Sequence, residues 1–340
     1  MMKNLFLFGA LVVLFSSCQK EDDRVVLPLP GAVKQIIAPM GTNYDDQVYV
    51  SLNKGVIHIA PYRAYDIMFE SSAQGLHVYL NSGKLMFAAR TTTSDFFLAD
   101  SANSNWRVDA ENYMDDSTAI GSWWINAAAN IGGYSNVYFI DRGRVDHTGS
   151  ERYRKLQIMT YDDTHYQIRF SKLDNSELTI MTIPKDPNYA LKYLSFNNNG
   201  TLVDQAPPSK DWDFVFTKYT HVYYDEPLSS PYRFYLVAGA ITNKWKGMTG
   251  SILKKDSVQG YMPFNDCIYN MISPFPFSTI ADIIGFDWKY YDFGNNQYYI
   301  RPDLFFLLKD EDGNYFKLRM LDFYDQQGNK GTVTLEYQRI

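Results

Sequence analysis

The sequence is short of cysteine, histidine and positive charge, and it has no second long apolar run. Two cysteines in 340 residues, Cys18 and Cys267, cannot build a disulfide framework. A net charge of −6 leaves no basic face to displace phosphate counterions, so nucleic acid is not an expected partner. The five histidines, His58, His77, His147, His165 and His221, stand at no metal-ligand spacing, and residues 222–340 contain none. There is no Gly-rich phosphate loop, no G-x-S-x-G elbow and no H-E-x-x-H, so catalysis is not expected. Beyond residue 17 no apolar stretch reaches the length that spans a bilayer as a helix.

Aromatic side chains are abundant instead, at 16% of the chain, with 27 tyrosines. Flat, stiff rings pack well on a pleated surface, so strands are favoured, and this composition excludes intrinsic disorder.

Residues 1–17 pair Lys3 with an apolar run at 5–15, which reads as a secretory signal peptide. Leu14-Phe15-Ser16-Ser17 leads directly into Cys18 and looks like a lipobox, although Phe15 is bulkier than usual there. Cys18 is therefore the expected lipidation site, and residues 18–43 the lipidated N-terminus and linker. Several acyl chains anchor a protein to a membrane far more firmly than one. Cys267 is then left alone and is expected to be a buried thiol acting as a small apolar residue.

The rest of the chain repeats itself. Ala64-Tyr65-Asp66-Ile67-Met68-Phe69 matches Asp211-Trp212-Asp213-Phe214-Val215-Phe216, each with an aromatic-Asp step and a Phe three residues on. Pro61 and Pro208 precede them at the same offset of 147. Tyr49 and Leu52-Asn53-Lys54-Gly55 resemble Tyr193 and Phe196-Asn197-Asn198-Asn199-Gly200. Downstream, the block from Tyr153 to Met159 echoes that from Tyr315 to Leu321, and Ile168-Arg169-Phe170 echoes Leu335-Glu336-Tyr337. Two related domains are expected, at 44–173 and 189–340, with 174–188 as linker around Pro184 and Pro187.

Both copies read as antiparallel strands. Residues 76–80, 317–321 and 332–337 alternate with period two, and Asp312-Gly313 between 304–308 and 315–321 is a hairpin signal. That turn also explains the acidic run Asp310-Glu311-Asp312 better than a calcium loop does. Only short stretches such as 280–284 could be helical, so the expected class is all-β.

The copies differ in the middle. Ala89 to Trp123 is 34 residues, whereas Ala238 to Trp288 is 50. The longer segment, 242–280, holds Met248, Met262 and Met271 among Trp245, Tyr261, Phe264, Tyr269, Phe275 and Phe277. Methionine ordinarily fills irregular core gaps. Its soft thioether also ligates haem iron and raises the iron potential relative to imidazole, and aromatic rings can cover a porphyrin.

The lipobox at Cys18, the strand Asp211-Trp212-Asp213-Phe214-Val215-Phe216, Trp288-Lys289-Tyr290-Tyr291 and the block Asp312-Gly313-Asn314-Tyr315-Phe316-Lys317-Leu318 together resemble the HmuY-like lipoproteins of Bacteroidetes. The second copy carries the resemblance well, and the first is a diverged version with Tyr65 in place of Trp. The acidic residues Glu21-Asp22-Asp23 after Cys18 resemble the surface-export signal of lipoproteins in that phylum. The resemblance implies an all-β outer-membrane lipoprotein facing the cell exterior, which takes haem from a host carrier and passes it to a TonB-dependent receptor.

Such proteins hold haem iron between two axial side chains from the segment between the motifs, either histidines or methionines. Paired histidines are impossible across 222–340, and His221 is expected to be an ordinary strand residue. Met248, Met262 and Met271 are therefore the expected haem-binding candidates. Met86 and Met114 occupy the comparable segment of the first copy, whose shorter loop makes a site there less expected. The competing reading is a non-haem accessory lipoprotein of a peptide or glycan uptake system, with Trp106, Trp123 and Trp124 available to stack on sugars.

Overall fold

Alternating apolar residues become strands almost throughout the computed structural model, which describes residues 29–100, 105–109, 117–230, 232–255 and 261–340. Cys18, the signal segment 1–17 and Met114 lie outside the described residues. The first strands are β1 (Lys34–Pro39), β2 (Asp46–Ser51), β3 (Gly55–Pro61), β4 (Ile67–Glu70), β5 (Val78–Leu80), β6 (Phe87–Arg90) and β7 (Trp106–Arg107). Then come β8 (Tyr138–Asp141), β9 (Tyr153–Tyr161), β10 (His165–Ser171), β11 (Thr179–Pro184), β12 (Leu191–Ser195) and β13 (Thr201–Val203). The rest are β14 (Phe214–Val222), β15 (Phe234–Thr242), β16 (Thr249–Lys254), β17 (Lys289–Asp292), β18 (Gln297–Ile300), β19 (Leu304–Lys309), β20 (Tyr315–Tyr324) and β21 (Lys330–Arg339). Among the described residues there is also one α-helix, α1 (Trp123–Ala129). The protein is all-β with antiparallel pairing, as expected.

Four main sheets form two sandwiches. In the first, the sheet β13-β12-β4-β5 covers the sheet β11-β10-β9-β8-β6-β7. Ile67 and Phe69 meet Tyr138, Ile158, Ile168 and Phe170 in its core, which α1 closes with Trp123 and Ala127. In the second, the sheet β15-β14-β2-β3 covers β1-β21-β20-β19-β16, and Phe214 and Phe216 meet Phe306, Leu318 and Leu335. A separate two-stranded ribbon, β17-β18, lies beside this second sandwich.

The residues between the core positions face the other way. Met68 lies in a cluster with Tyr65, Tyr79 and Tyr193, while Val215 and Tyr219 lie with Tyr49 and Trp212, and Trp245 packs against both clusters. The outer faces of the two four-stranded sheets thus meet at the centre of the molecule. Gln205 joins them by donating to Gln47 Oε1 (2.7 Å), and Gln47 donates in turn to Thr217 (2.9 Å).

Hydrogen bonding does not follow the boundaries expected from the repeat. The hairpin β2–β3, inside 44–173, pairs with β14 of the other copy. The hairpin β12–β13, inside 189–340, pairs with β4. Each copy therefore lends its leading hairpin to the other. The physical reason is the path of the connections: after β3 the chain leaves Pro61 through a short 3-10 turn, Tyr62–Ala64, and enters the neighbouring sheet instead of folding back. Within the expected linker 174–188, residues Thr179–Pro184 form β11, because Ile183 is fully buried and Met181 packs on the same core. Residues 280–284 carry no helix, and the α1 segment was not anticipated.

The turns behave as read. Gly313 takes φ +79° in the loop between β19 and β20, and Asp310 caps that loop by accepting from the Asn314 N–H (2.8 Å) and its side-chain amide (2.8 Å).

Candidate functional site

The repeated aromatic-Asp step builds two matching sockets. Asp66 is fully buried and accepts the Phe196 N–H (2.7 Å), and its own N–H donates to Leu194. Asp213 accepts the Leu52 N–H (2.6 Å), and its N–H donates to Val50. Lys84 approaches Asp66 at 2.5 Å, and Lys246 approaches Asp213 at 2.6 Å. Asn81 and Asn243 complete the pair, each donating to two backbone carbonyls of the crossover that leads into its socket. The first socket adds Arg142, 2.8 Å from Asp66. Burial pushes the Asp66 carboxyl up, but Lys84 and Arg142 outweigh it and hold the pKa below the usual carboxylate range. The motif that looked like a family signature is thus the anchor of the exchanged hairpins.

The repeated lysine is a loop clamp. Lys155 on β9 donates to the Phe96 carbonyl (2.9 Å) and lies over the Phe96 ring. Lys317 on β20 donates to the carbonyls of Phe264 (2.8 Å) and Cys267 (3.0 Å) and lies over the Phe264 ring. Charge-assisted bonds of this kind are roughly twice as strong as neutral ones. Sequence reasoning missed the role of Lys317, although its recurrence at Lys155 in the aligned blocks was the available signal. Cys267 is fully buried beside it, and burial raises its thiol pKa. It is the small apolar residue expected.

This clamp fixes the loop that carries two of the three methionines. Phe264, Cys267, Ile272 and Phe275 pack on Phe305 and Leu307 as a satellite cluster, and Met262 lies against it half-buried. Met271 ends a short 3-10 turn, Tyr269–Met271, and is 46% exposed. Tyr261, Ile268 and Tyr269 are also exposed, so apolar surface gathers on this loop.

Met248 lies elsewhere. It precedes β16 and is 1% exposed within the main core beside Trp288 and Phe306. Met86, in the first copy, is fully buried as well. The donor chemistry at Met262 and Met271 fits haem iron: soft thioethers at or near the surface, flanked by rings. Met248 does not fit, because its sulfur is walled in by side chains that the fold needs.

The histidines are dispersed. His77 pairs with Glu70 (2.8 Å), His165 with Asp162 (3.0 Å), and His147 takes a 3.3 Å contact from Lys84. His58 lies against Tyr49, and His221, on β14, lies against Phe286. Among the described residues no group of three or more His, Cys, Asp or Glu side chains could hold a metal ion. Of the three tryptophans considered for sugar stacking, Trp123 is in the core, Trp124 packs against it, and Trp106 is 37% exposed. Trp106 lines a cleft of about 450 Å³ with Arg107, Tyr224 and Arg233. A second cleft of about 250 Å³ lies between β15 and the β17–β18 ribbon, with Lys218 and Lys289 among its lining residues.

Two antiparallel sandwiches, the second with a loop clamped by Lys317, define an all-β sandwich protein. The sequence model of one family, described as HmuY protein, matches residues 43–337, and the chain belongs to that family. A single match spans both copies of the repeat. No curated protein matches the chain.

Among solved structures, apo PinO from Porphyromonas gingivitis is 12% identical over 91% of this chain and 97% of its own, with a TM-score of 0.34. A protein described as HmuY-like and haem-binding, from Bacteroides vulgatus, is 16% identical over 43% of this chain and 82% of its own, at 0.23. The apo HmuY analogue of Tannerella forsythia is 13% identical over 47% and 83%, at 0.18. At TM-scores this low none of the three fixes the position of a residue here.

Proposed function

We propose that this protein is a surface-exposed outer-membrane lipoprotein, anchored through Cys18, that binds haem and passes it to a TonB-dependent receptor. Family membership supports the reading. The observation that carries it is the half-exposed Met271 on the same clamped loop as Met262, a loop that also exposes Tyr261 and Tyr269.

Met262 and Met271 would hold the iron, and thioether ligation would supply a soft donor that favours the reduced metal. Lys317 contributes by positioning. Its two bonds to loop carbonyls fix the backbone before any ligand arrives, which lowers the ordering cost of binding. Tyr261 and Tyr269 would cover porphyrin surface and exclude water.

The test is a haemin titration of the mature protein under oxidising and reducing conditions. A Soret shift in at least one state is expected, and its absence in both would overturn the reading.

A further inference from the structure

The cleft between β15 and the β17–β18 ribbon is a site of a different kind from the methionine loop. Its walls are tyrosine: Tyr44 from the β1–β2 turn, Tyr235 from β15, and Tyr290 and Tyr298 from the ribbon. Tyr290 and Tyr235 are 53% and 56% exposed, so two rings stand at its mouth. Two ammonium groups line it and no carboxylate does.

Both amines are held in place by the fold. Lys289 donates to the Ala238 carbonyl (2.5 Å) and lies 4.1 Å from the centre of the Trp288 ring. Lys218 donates to the Asn43 carbonyl (3.0 Å) and lies over the Tyr62 ring at 4.9 Å. Asp45 and Asp146 attract Lys218, and Asp287 attracts Lys289. Burial lowers both pKa values, that of Lys289 to about 7 against the pull of Asp287.

Two positioned amines, framed by rings and with no carboxylate among the lining residues, match a small planar or ring-shaped anion, with Lys289 carrying its full charge below about pH 7. The cations answer its charge, and the rings cover its faces. The cleft volume of about 250 Å³ falls below the roughly 300–1,000 Å³ of pockets for drug-sized ligands. A cleft of that size suits a single ring better than a porphyrin.

We propose that this cleft binds a single-ring carboxylate, with Lys218 and Lys289 answering the carboxylate and Tyr235 and Tyr290 covering the ring. The ring comes either from a sugar acid or from an aromatic acid, and the experiment separates the two. Full-length mature protein is titrated calorimetrically with sodium glucuronate, sodium 4-hydroxybenzoate and neutral glucose.

One of the two anions should bind with Kd tighter than ~1 mM, and glucose at least about tenfold more weakly. Lys218→Gln should weaken that anion about tenfold or more, the fold-change of a lost charge-assisted hydrogen bond. Tyr290→Ser, at an exposed ring, tests the same cleft without touching the core. Neither variant should alter the haemin titration. Binding of neither anion below ~10 mM overturns the proposal, as does equal affinity for glucose or full retention of binding in both variants.

Discussion

The Asp213 carboxylate accepts the Leu52 N–H at 2.6 Å across 161 residues of sequence, and Asp66 does the same for Phe196 at 2.7 Å across 130. These two bonds tie each exchanged hairpin to the copy it did not come from. Lys246 and Lys84 neutralise the same carboxylates. One side chain therefore satisfies a buried lysine and a hairpin amide together.

Asp213→Asn leaves Lys246 without its counter-charge, and breaking a buried pair costs about 3–5 kcal/mol. Amide hydrogen exchange should show β2–β3 opening faster while β12–β13 keeps its protection. Asp66→Asn should give the converse pattern with a larger total loss, since Arg142 is stranded as well. Equal loosening of both hairpins in either variant would contradict the socket assignment.

Lys317→Met removes two charge-assisted bonds to the loop carbonyls of Phe264 and Cys267. About 1.5–3 kcal/mol of local stability should go with each. The measurable sign is faster proteolysis within 261–280, with the sheet signature in circular dichroism retained. Unchanged cleavage of that loop would show that Lys317 does not clamp it.

The two kinds of methionine should separate in the haemin titration. Met271→Leu is expected to abolish or shift the Soret band, because Leu keeps the apolar volume and loses the sulfur. Met248→Leu is nearly isosteric in a packed core and should cost under about 1.5 kcal/mol, with the spectrum unchanged. Loss of the band only in Met248→Leu would reverse the assignment.

His147 should make the first sandwich sensitive to acid. Burial, then Arg142 and Lys84, push its pKa down from 6.5 to about 4. Between those values the unfolded chain binds a proton that the native state does not. Stability is therefore lost as pH falls from about 6.5 towards 4. His147→Gln removes that titration, so the gap in urea midpoint between pH 7 and pH 5 should narrow. Parallel profiles for variant and parent would count against it.

How far the sequence could be read depends on which residues carried information locally. The alternation in 332–337 and the Asp312-Gly313 turn announce β21 and the β19–β20 hairpin, because side-chain period and turn chemistry are set within a few residues. The repeat was legible for the same reason. Helix α1 was not, because seven residues are too few to form a helix alone even with Ala127-Ala128-Ala129, and the turn is held by burial of Trp123.

The methionine candidates show the limit at the site. Met248, Met262 and Met271 are alike in sequence, yet one is sealed in the core and two sit on a surface loop. Exposure is a property of what packs on a residue, and residues such as Trp288 and Phe306 come from 40 or more positions away.

The sequence by itself determined that this chain is all-β, and that an aromatic-Asp step and a lysine in two similar blocks each occur twice. Only the tertiary structure decided that the copies exchange hairpins. The two hairpins turn alike, at Leu52-Asn53 and Phe196-Asn197, so the turn residues alone do not say which socket each enters. The choice falls to the short crossover after Pro61, whose direction is fixed by packing between sheets, and no local pattern in the chain records it.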